Sequence, residues 1–254
     1  MKEQDPREVS ASRRAFLRGI PVLTAAAAAL PAPALAAHGR HHWAMLVDVR
    51  KCIGCQACTV ACIQENALPE GSFRTVVSTY SVKLADVGQA AEHAAAQPAG
   101  TYMLPRLCNQ CEEPPCIPGC PVGATFKRED GIVAVDGARC VGCAYCVQAC
   151  PYDARFINHA TNTADKCTFC AHRVDAGLLP ACVETCVGGA RIFGDLNDPQ
   201  GELRRRLDAA KAEVKVLKPE QGTEPRVFYI GLDERFQGKV EGQGTLWLPR
   251  KAHA

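Results

Sequence analysis

The sequence has few aromatic side chains and, beyond its first 36 residues, no long apolar run. Tryptophan, tyrosine and phenylalanine make up 6% of its 254 residues, so large side chains can supply only part of a conventional core. Beyond residue 36, no stretch approaches the roughly 18 consecutive apolar residues that a membrane-spanning helix needs. We therefore expect this part of the chain to be soluble or peripheral to a membrane.

The sequence beyond residue 36 also lacks an excess of basic residues, which excludes nucleic-acid binding. The formal net charge is +2, but the first 36 residues contribute five basic and three acidic side chains. The remainder is about neutral and has no basic stripe to pair with phosphates. The sequence also lacks a phosphate-binding loop, a Rossmann fingerprint and a paired nucleophile and base. Since His159 and His172 stand alone in the sequence, no catalytic site is expected.

Cysteine, in contrast, is abundant, and all 16 cysteines fall into four runs. The first run has the spacing C-x2-C-x2-C-x3-C and consists of Cys52, Cys55, Cys58 and Cys62. The third run repeats that spacing with Cys140, Cys143, Cys146 and Cys150. The second run has a middle spacer of four residues and consists of Cys108, Cys111, Cys116 and Cys120. The fourth run has eleven residues in the middle and consists of Cys167, Cys170, Cys182 and Cys186.

This spacing is typical of bacterial ferredoxins, in which three thiolates hold one [4Fe-4S] cluster and the fourth binds a neighbouring cluster. A tetrahedral Zn2+ normally takes two thiolates from such a run and two from elsewhere, so four zinc sites are an alternative. A disulfide framework is another, although closely spaced cysteine pairs form a poor lattice for structural bridges. The pattern predicts four [4Fe-4S] clusters, with all the cysteines as iron ligands.

The inner two runs are predicted to form a ferredoxin-like domain of their own. Residues 125–135 contain an Asp-Gly pair between strand-like residues, which is a strong hairpin signal. Proline follows Cys120 and Cys150, as it follows the fourth cysteine in bacterial ferredoxins. The first and last runs are then left to pair with each other. We expect an α+β fold of two nested bacterial-ferredoxin-like domains, each binding two clusters, with short strands, short helices and long loops.

If the fourth cysteine of each run binds the cluster of the run it pairs with, four ligand sets are predicted. Cluster 1 is assigned to Cys52, Cys55, Cys58 and Cys186. Cluster 2 is assigned to Cys62, Cys167, Cys170 and Cys182. Cluster 3 is assigned to Cys108, Cys111, Cys116 and Cys150. Cluster 4 is assigned to Cys120, Cys140, Cys143 and Cys146.

The N-terminal segment has the form of an export signal. Residues 12–18 carry a twin-arginine pattern of the Tat pathway, and an uncharged, Ala-rich stretch follows at residues 19–37 with a small-residue cleavage site at 34–36. A membrane anchor is the alternative, but three prolines in this stretch disfavour a spanning helix. Tat substrates cross the membrane folded, which suits a protein that acquires its clusters in the cytoplasm. We predict a periplasmic location, with the signal either cleaved or kept as a tether.

Several shorter elements complete the prediction. Strands are expected directly before the first and third runs and at residues 227–230, and a peripheral helix is expected at 202–217. The Ala-rich, weakly patterned connector at 89–100 is expected to be a surface excursion, and the tail from residue 237 onward is expected to have no clear structure. The predicted boundaries are 1–36 for the signal peptide, 37–105 for the first half of the outer domain with the connector, 106–158 for the inner domain, 159–195 for the second half of the outer domain, and 196–254 for a C-terminal helix, strand and tail.

Basic residues directly precede three of the leading cysteines. Lys51, Arg139 and Lys166 could raise reduction potentials, since nearby charge helps to set them, or could be ordinary solvated residues at loop mouths. His38, His41 and His42 could bind a metal ion, but we expect them to form a mobile, solvated cluster.

Segments around the cysteines resemble a known family. They are residues 44–48 (AMLVD), 53–56 (IGCQ), 73–75 (FRT), 139–158, 163–170 (TADKCTFC), 178–184, 187–191 (VGGAR), 215–220 and 227–233. The chain resembles the iron-sulfur subunits of molybdopterin-dependent oxidoreductases of the dimethyl sulfoxide reductase type. The flanking segments favour the branch that serves tetrathionate reduction over the branches linked to polysulfide, thiosulfate, nitrite or sulfite.

The resemblance implies a non-catalytic electron-transfer subunit with four [4Fe-4S] clusters. Electrons would pass from an integral membrane quinol-oxidising subunit to a molybdopterin-containing catalytic subunit, and this chain would associate with the membrane through its partner. A self-sufficient redox enzyme is a competing hypothesis, but it would need an open coordination site on a cluster, and 16 cysteines fill four clusters. A further competing hypothesis is an interaction module that is stabilised by bound zinc.

Overall fold

The computed structural model of the protein describes residues 41–82, 100–232 and 241–245. The chain divides into two compact units, residues 1–37 and 38–254, and every described residue belongs to the second. The predicted signal peptide, nearly all of the predicted connector and most of the tail lie outside the described residues. Within the described ranges, no helix is long and apolar enough to cross a membrane.

The described part of the chain is built from short elements joined by loops. Its strands are β1 (Trp43–Asp48), β2 (Thr75–Val82), β3 (Gly100–Leu107), β4 (Thr125–Lys127), β5 (Val133–Val135), β6 (Arg155–Asn158), β7 (Thr163–Lys166), β8 (Arg191–Asp195), β9 (Val227–Ile230) and β10 (Glu241–Thr245). Its α-helices are α1 (Ala57–Glu65), α2 (Tyr145–Gln148), α3 (Ala171–Val174), α4 (Ala181–Glu184) and α5 (Glu202–Ala209). Single 3-10 turns lie at Val49–Lys51 and Pro219–Gln221.

The strand β1 is the centre of a three-stranded sheet in the order β8-β1-β9. It pairs antiparallel with β8 and parallel with β9. Successive side chains of a strand point to opposite faces, so Met45 and Val47 join the core that contains the cysteines. Ala44 and Leu46 pack on the other face with Leu203 of α5. Burial on both faces explains why this strand is a continuous apolar run, and the strands predicted at β1 and β9 are confirmed.

Hairpins bring the cysteine runs together. β4 and β5 pair antiparallel, which confirms the predicted hairpin, and Gly131 adopts φ 81° at its turn. The hairpin of β6 and β7 leads from the third run to the fourth, because β7 ends directly before Cys167. β2 and β3 pair along eight residues and lie beside the first run.

Two predictions about the C-terminal region are wrong. The helix predicted to residue 217 ends at Ala209, because Val214 packs in the core beside Leu203 and Lys215 exchanges backbone hydrogen bonds of 2.8 Å with Tyr229. The backbone there follows β9 and leaves helical geometry. The tail also contains a strand, β10, which pairs with the edge of β2 and therefore needs no apolar pattern of its own.

Candidate metal centres

The cysteines assigned to cluster 1 line a single cavity. About 350 Å³ of empty space, partly open to solvent, is bordered by Cys52, Cys55, Cys58 and Cys186. Burial raises the pKa of the Cys52 thiol, and the neighbouring Cys58 and Cys186 raise it as well, while the amide of Gly54 lowers it. The first and fourth runs therefore meet at this cavity.

The loop of the first run is held by a buried glutamine. Gln56 adopts the left-handed conformation, with φ 61°, directly before α1 begins. Its side-chain amide donates to the carbonyl oxygen of Val77 at 2.8 Å and accepts from the Val77 amide at 3.3 Å. These two bonds fix the loop to β2 and orient the thiols that flank Gln56 towards the cavity.

A second cavity contains the cysteines assigned to cluster 3. It has about 320 Å³ of empty space, partly open to solvent, and is bordered by Cys108, Cys111, Cys116 and Cys150, among other residues. Burial raises the pKa of Cys111 to about 11, and the nearby thiols of the same set add to this effect, while the hydroxyl of Thr223 lowers it. The second and third runs therefore meet here, as the first and fourth do at the other cavity.

The cysteines assigned to cluster 2 influence one another electrostatically. Burial raises the pKa of Cys62 to about 12, and Cys182 and Cys170 raise it further. Burial also raises the pKa of Cys167, with added contributions from Cys182 and Cys62. Thus Cys62 of the first run lies near three cysteines of the fourth.

The fourth predicted set is brought together in part. Cys140 and Cys146 pack in one apolar cluster with Val133 and Ala164, and Cys143 is exposed. The Sγ of Cys120 accepts a hydrogen bond of 3.2 Å from the amide of Ala124, within its own loop.

Backbone N–H groups point at several of the sulfur atoms. The amides of Ala124 and Ala190 each lie 3.2 Å from the Sγ of the cysteine four residues earlier, Cys120 or Cys186. The amide of Ala164 donates to Cys140 at 3.3 Å. Such donors stabilise sulfur-bound negative charge and raise the potential of a bound cluster.

The arrangement of the thiols fits a [4Fe-4S] cluster better than a single ion. All sixteen cysteines are free, so no disulfide framework is present. Within the described residues, no group of three or more His, Cys, Asp or Glu side chains is close enough to hold one metal ion. In the cluster 1 and cluster 3 sets the four thiols border a cavity, which suits a cubic cluster with iron at four corners.

The three basic residues next to leading cysteines have different environments. Lys51 and Arg139 are exposed, as the hypothesis of ordinary solvated residues expects. Lys166 is 1% exposed, and its Nζ donates to the carbonyl oxygens of Val133 and Cys167. Lys166 is therefore the buried one of the three, while Lys51 borders the cavity of the cluster 1 set.

The sequence did not indicate the three buried arginines, Arg155, Arg191 and Arg226, of which the first two lie at the candidate sites. Arg191 is 3% and Arg155 is 4% exposed, and both lie against cysteines. Each comes five residues after the last cysteine of a run, directly after an alanine. That shared position was the available signal, but a basic residue on a short strand is usually solvated, so the pattern alone did not indicate burial.

Of the three histidines predicted to be mobile and solvated, His41 and His42 instead make specific polar contacts, and His38 lies outside the described residues. The Nδ1 atom of His41 lies 2.7 Å from a carboxylate oxygen of Asp195, and His42 contacts Glu112 at 3.0 Å through Nε2. The amide of His42 also donates to Asp195 at 2.7 Å. These contacts join the start of the described chain to the end of β8 and to the second run.

Two protein-family models, both described as a 4Fe-4S dicluster domain, match this chain. A 4Fe-4S dicluster domain matches residues 99–196, and a second 4Fe-4S dicluster domain matches residues 51–124. Together the two matches include all four cysteine runs.

Similar proteins are components of reductases. The B subunit of tetrathionate reductase from Salmonella typhimurium is 54% identical over 250 residues, covering 94% of this chain and 96% of that protein. The B subunit of selenate reductase from Mesobacillus selenatarsenatis is 40% identical over 222 residues, covering 74% and 71%. The thiosulfate reductase electron transfer subunit PhsB of Salmonella typhi is 40% identical over 189 residues, covering 71% and 94%.

Proposed function

The chain belongs to the family of 4Fe-4S dicluster electron-transfer subunits of reductases, and from this premise we propose that it is the electron-transfer subunit of a tetrathionate reductase. It carries four [4Fe-4S] clusters and is itself non-catalytic. When bound, each cluster supplies a redox centre whose potential depends on charge, hydrogen bonding and exposure. In the proposed complex, electrons come from an integral membrane quinol-oxidising subunit and leave to a molybdopterin-containing catalytic subunit.

Cavities formed jointly by paired runs carry this proposal. Three cysteines of the first run border one cavity with Cys186, and three cysteines of the second run border the other with Cys150. Both observations support the exchange of the fourth cysteine. We propose the four ligand sets given above, with cluster 4 resting on equivalence between the runs.

The pairing of the strands supports two nested domains. β1, which precedes the first run, pairs with β8, which follows the fourth. β4 and β5, which connect the second run to the third, pair with each other inside that arrangement. We propose an inner domain at residues 106–158, flanked by the two halves of an outer domain at 37–105 and 159–195, with residues 196–254 as a C-terminal extension.

Electron entry and exit require clusters that partners can approach. Cys55 and Cys143 are the exposed cysteines, and they occupy equivalent positions in the first and third runs. Apolar side chains stand beside them: Ile53 is 68% and Val141 is 65% exposed. We propose that the partner subunits cover these two loops, one at each.

The proposed location is the periplasm, reached in the folded state by the Tat pathway. The twin-arginine pattern at residues 12–18 supports this, because Tat substrates fold before export. Attachment to the membrane would be indirect, through the quinol-oxidising partner. Whether the signal is cleaved or kept would be shown by the mass of the mature chain.

Tetrathionate is the favoured substrate of the complex because similarity to the Salmonella typhimurium protein is higher and extends over more of both chains. The relatives linked to thiosulfate and polysulfide are 40% and 38% identical. The second candidate is the equivalent subunit of one of these related complexes, including nitrite- or sulfite-linked ones. In every case the substrate binds to another chain.

Membranes from a strain that lacks this chain provide the test. Tetrathionate reduction is measured with a quinol and, separately, with a reduced viologen dye that can donate to the catalytic subunit directly. We expect quinol-driven reduction to be lost and dye-driven reduction to persist. Undiminished quinol-driven reduction would contradict the proposal. Thiosulfate, polysulfide, nitrite and sulfite are assayed in parallel, and a loss confined to one of them would favour the second candidate.

A further inference from the structure

Arg191 lies between the sites proposed for clusters 1 and 2. Its Nη2 atom is 3.4 Å from the Sγ of Cys58, which belongs to the cluster 1 set. Its Nη1 atom is 3.8 Å from the Sγ of Cys182, which belongs to the cluster 2 set. The guanidinium also donates to the hydroxyl of Thr75 at 2.8 Å, which holds it in this position.

Arg155 has the corresponding position in the inner pair. It borders the cavity of the cluster 3 set. Burial by itself lowers its pKa, but the nearby thiols of Cys116 and Cys108 of that set, with Cys146 of the cluster 4 set, raise it above its ordinary value. Its Nη1 atom donates to the hydroxyl of Thr125 at 3.2 Å, while its Nη2 atom is buried without a hydrogen-bond partner. A buried, unpartnered N–H beside thiols is available to a group that occupies the site.

The two arginines are equivalent by sequence as well as by position. Each is the first residue of a strand that follows a run, β8 for Arg191 and β6 for Arg155. Each donates to a threonine that is the first residue of another strand, Thr75 of β2 or Thr125 of β4. The same arrangement therefore occurs once in each pair of sites.

Within the described residues, neither arginine forms an ion pair with a carboxylate. Burying an unpaired guanidinium is costly, so its charge must be balanced by other groups. Burial by itself lowers the pKa of Arg191, but the thiolates of Cys58 and Cys182 raise it, and on balance it lies above its ordinary value. The groups that balance these charges are the cysteine ligands.

We propose that Arg191 and Arg155 each hold one positive charge between the two clusters of a pair and raise the reduction potentials of both. This inference rests on the proposed ligand sets. It assigns Arg191 to clusters 1 and 2 and Arg155 to clusters 3 and 4. An electron on either cluster of a pair is stabilised by the shared charge, and repulsion between the two reduced clusters is diminished.

The test is redox potentiometry, followed by electron paramagnetic resonance, on anaerobically purified full-length protein. In Arg191→Gln we expect two of the four potentials to fall and two to stay unchanged. In Arg155→Gln we expect the other two to fall. Arg204→Gln is the matched control, since Arg204 pairs with Asp208 on the exposed face of α5, and it should leave all four potentials unchanged.

Lysine variants separate charge from packing. Arg191→Lys keeps the charge but loses the second contact of the guanidinium fork, so we expect the same two potentials to fall by less than in Arg191→Gln. If a glutamine variant does not assemble its clusters, Arg191→Met, which also removes the charge, takes its place. Potentials that fall as far in Arg191→Lys as in the neutral variant overturn the inference, because the retained charge would then have no effect. Equal shifts of all four potentials in either arginine variant also overturn it.

Iron and acid-labile sulfide are measured on the same samples. If the wild-type protein contains four clusters but the variants have unaltered potentials, the charge assignment is overturned and the proposed function stands. Wild-type protein without iron and sulfide would instead overturn the proposed function, and this inference with it.

Discussion

At the scale of single residues, the turn between the first two cysteines of a run depends on glycine. Gly142 adopts φ 70°, and a Cβ added there would lie 2.4 Å from the carbonyl oxygen of Asn162. Gly54 occupies the same place in the first run with φ 72°. L-residues rarely adopt this conformation, and in the third run the contact is with backbone, which cannot move aside as a side chain can.

We predict that Gly142→Ala lowers the free energy of unfolding by about 1–3 kcal/mol, because strained backbone at such a position costs that much. We also expect it to reduce the iron content of the protein, since the distorted loop carries three cysteines. Thermal unfolding and iron per chain are the measurements. Gly137→Ala is the control, because a Cβ there has no neighbour within 4 Å; equal effects of the two substitutions would contradict the prediction.

The pairing of runs can be tested at a single cysteine. Cys186→Ser should alter the spectrum of the cluster held by Cys52, Cys55 and Cys58, because Cys186 borders their cavity. Electron paramagnetic resonance of the reduced protein makes the comparison with Cys170→Ser, which should alter the cluster 2 signal. If Cys186→Ser and Cys170→Ser perturb the same signal, the exchange of the fourth cysteine is incorrect.

At the scale of elements, β1 separates a core that contains cysteines from one that does not. Leu203 is fully buried on the second side, against Ala44, Leu46 and Ile230. Its role is therefore to hold α5 on the central sheet. This division predicts that stability and cluster binding can be changed separately.

We predict that Leu203→Ala lowers the free energy of unfolding by about 2–5 kcal/mol, as for other large-to-small core substitutions. The iron content and visible spectrum should stay unchanged, since the core that contains cysteines packs on the opposite face of β1. Thermal unfolding and absorption spectroscopy test this. Arg204→Ala, at the exposed neighbouring position, should have little effect on either. Loss of iron in Leu203→Ala would show that the two cores are not independent.

The elements that were predictable are those whose signals are local. Asp130-Gly131 predicted the β4–β5 hairpin, and the apolar runs predicted β1 and β9, because turn chemistry and burial are written in neighbouring residues. The end of α5 and the presence of β10 were not predictable, since both depend on pairing with a distant strand. The same holds for Arg191, whose burial depends on cysteines from two separate runs that only the tertiary fold brings together.

At the scale of the whole molecule, the clusters supply part of the stability that a larger apolar core would otherwise provide. Two cavities that are partly open to solvent lie among the cysteine sets, and the core residues include many of the cysteines themselves. Since metal-binding free energy contributes to folding free energy, an empty protein would retain voids and unpaired buried arginines.

We predict that oxidative removal of the clusters abolishes the cooperative thermal transition. Differential scanning calorimetry before and after removal measures this, with reconstitution from iron and sulfide under reducing conditions expected to restore the transition. Protein exposed only to a chelator that strips loosely bound metal is the control. A cluster-free protein that melts as cooperatively as the intact one would show that the fold does not depend on its clusters.

The most direct test of the account is the amount of iron, zinc and acid-labile sulfide per chain in anaerobically purified protein. Four [4Fe-4S] clusters on 16 cysteines predict about 16 iron and about 16 sulfide, with negligible zinc. About four zinc with no sulfide would contradict the account, because a chain with zinc at these cysteines could not transfer electrons.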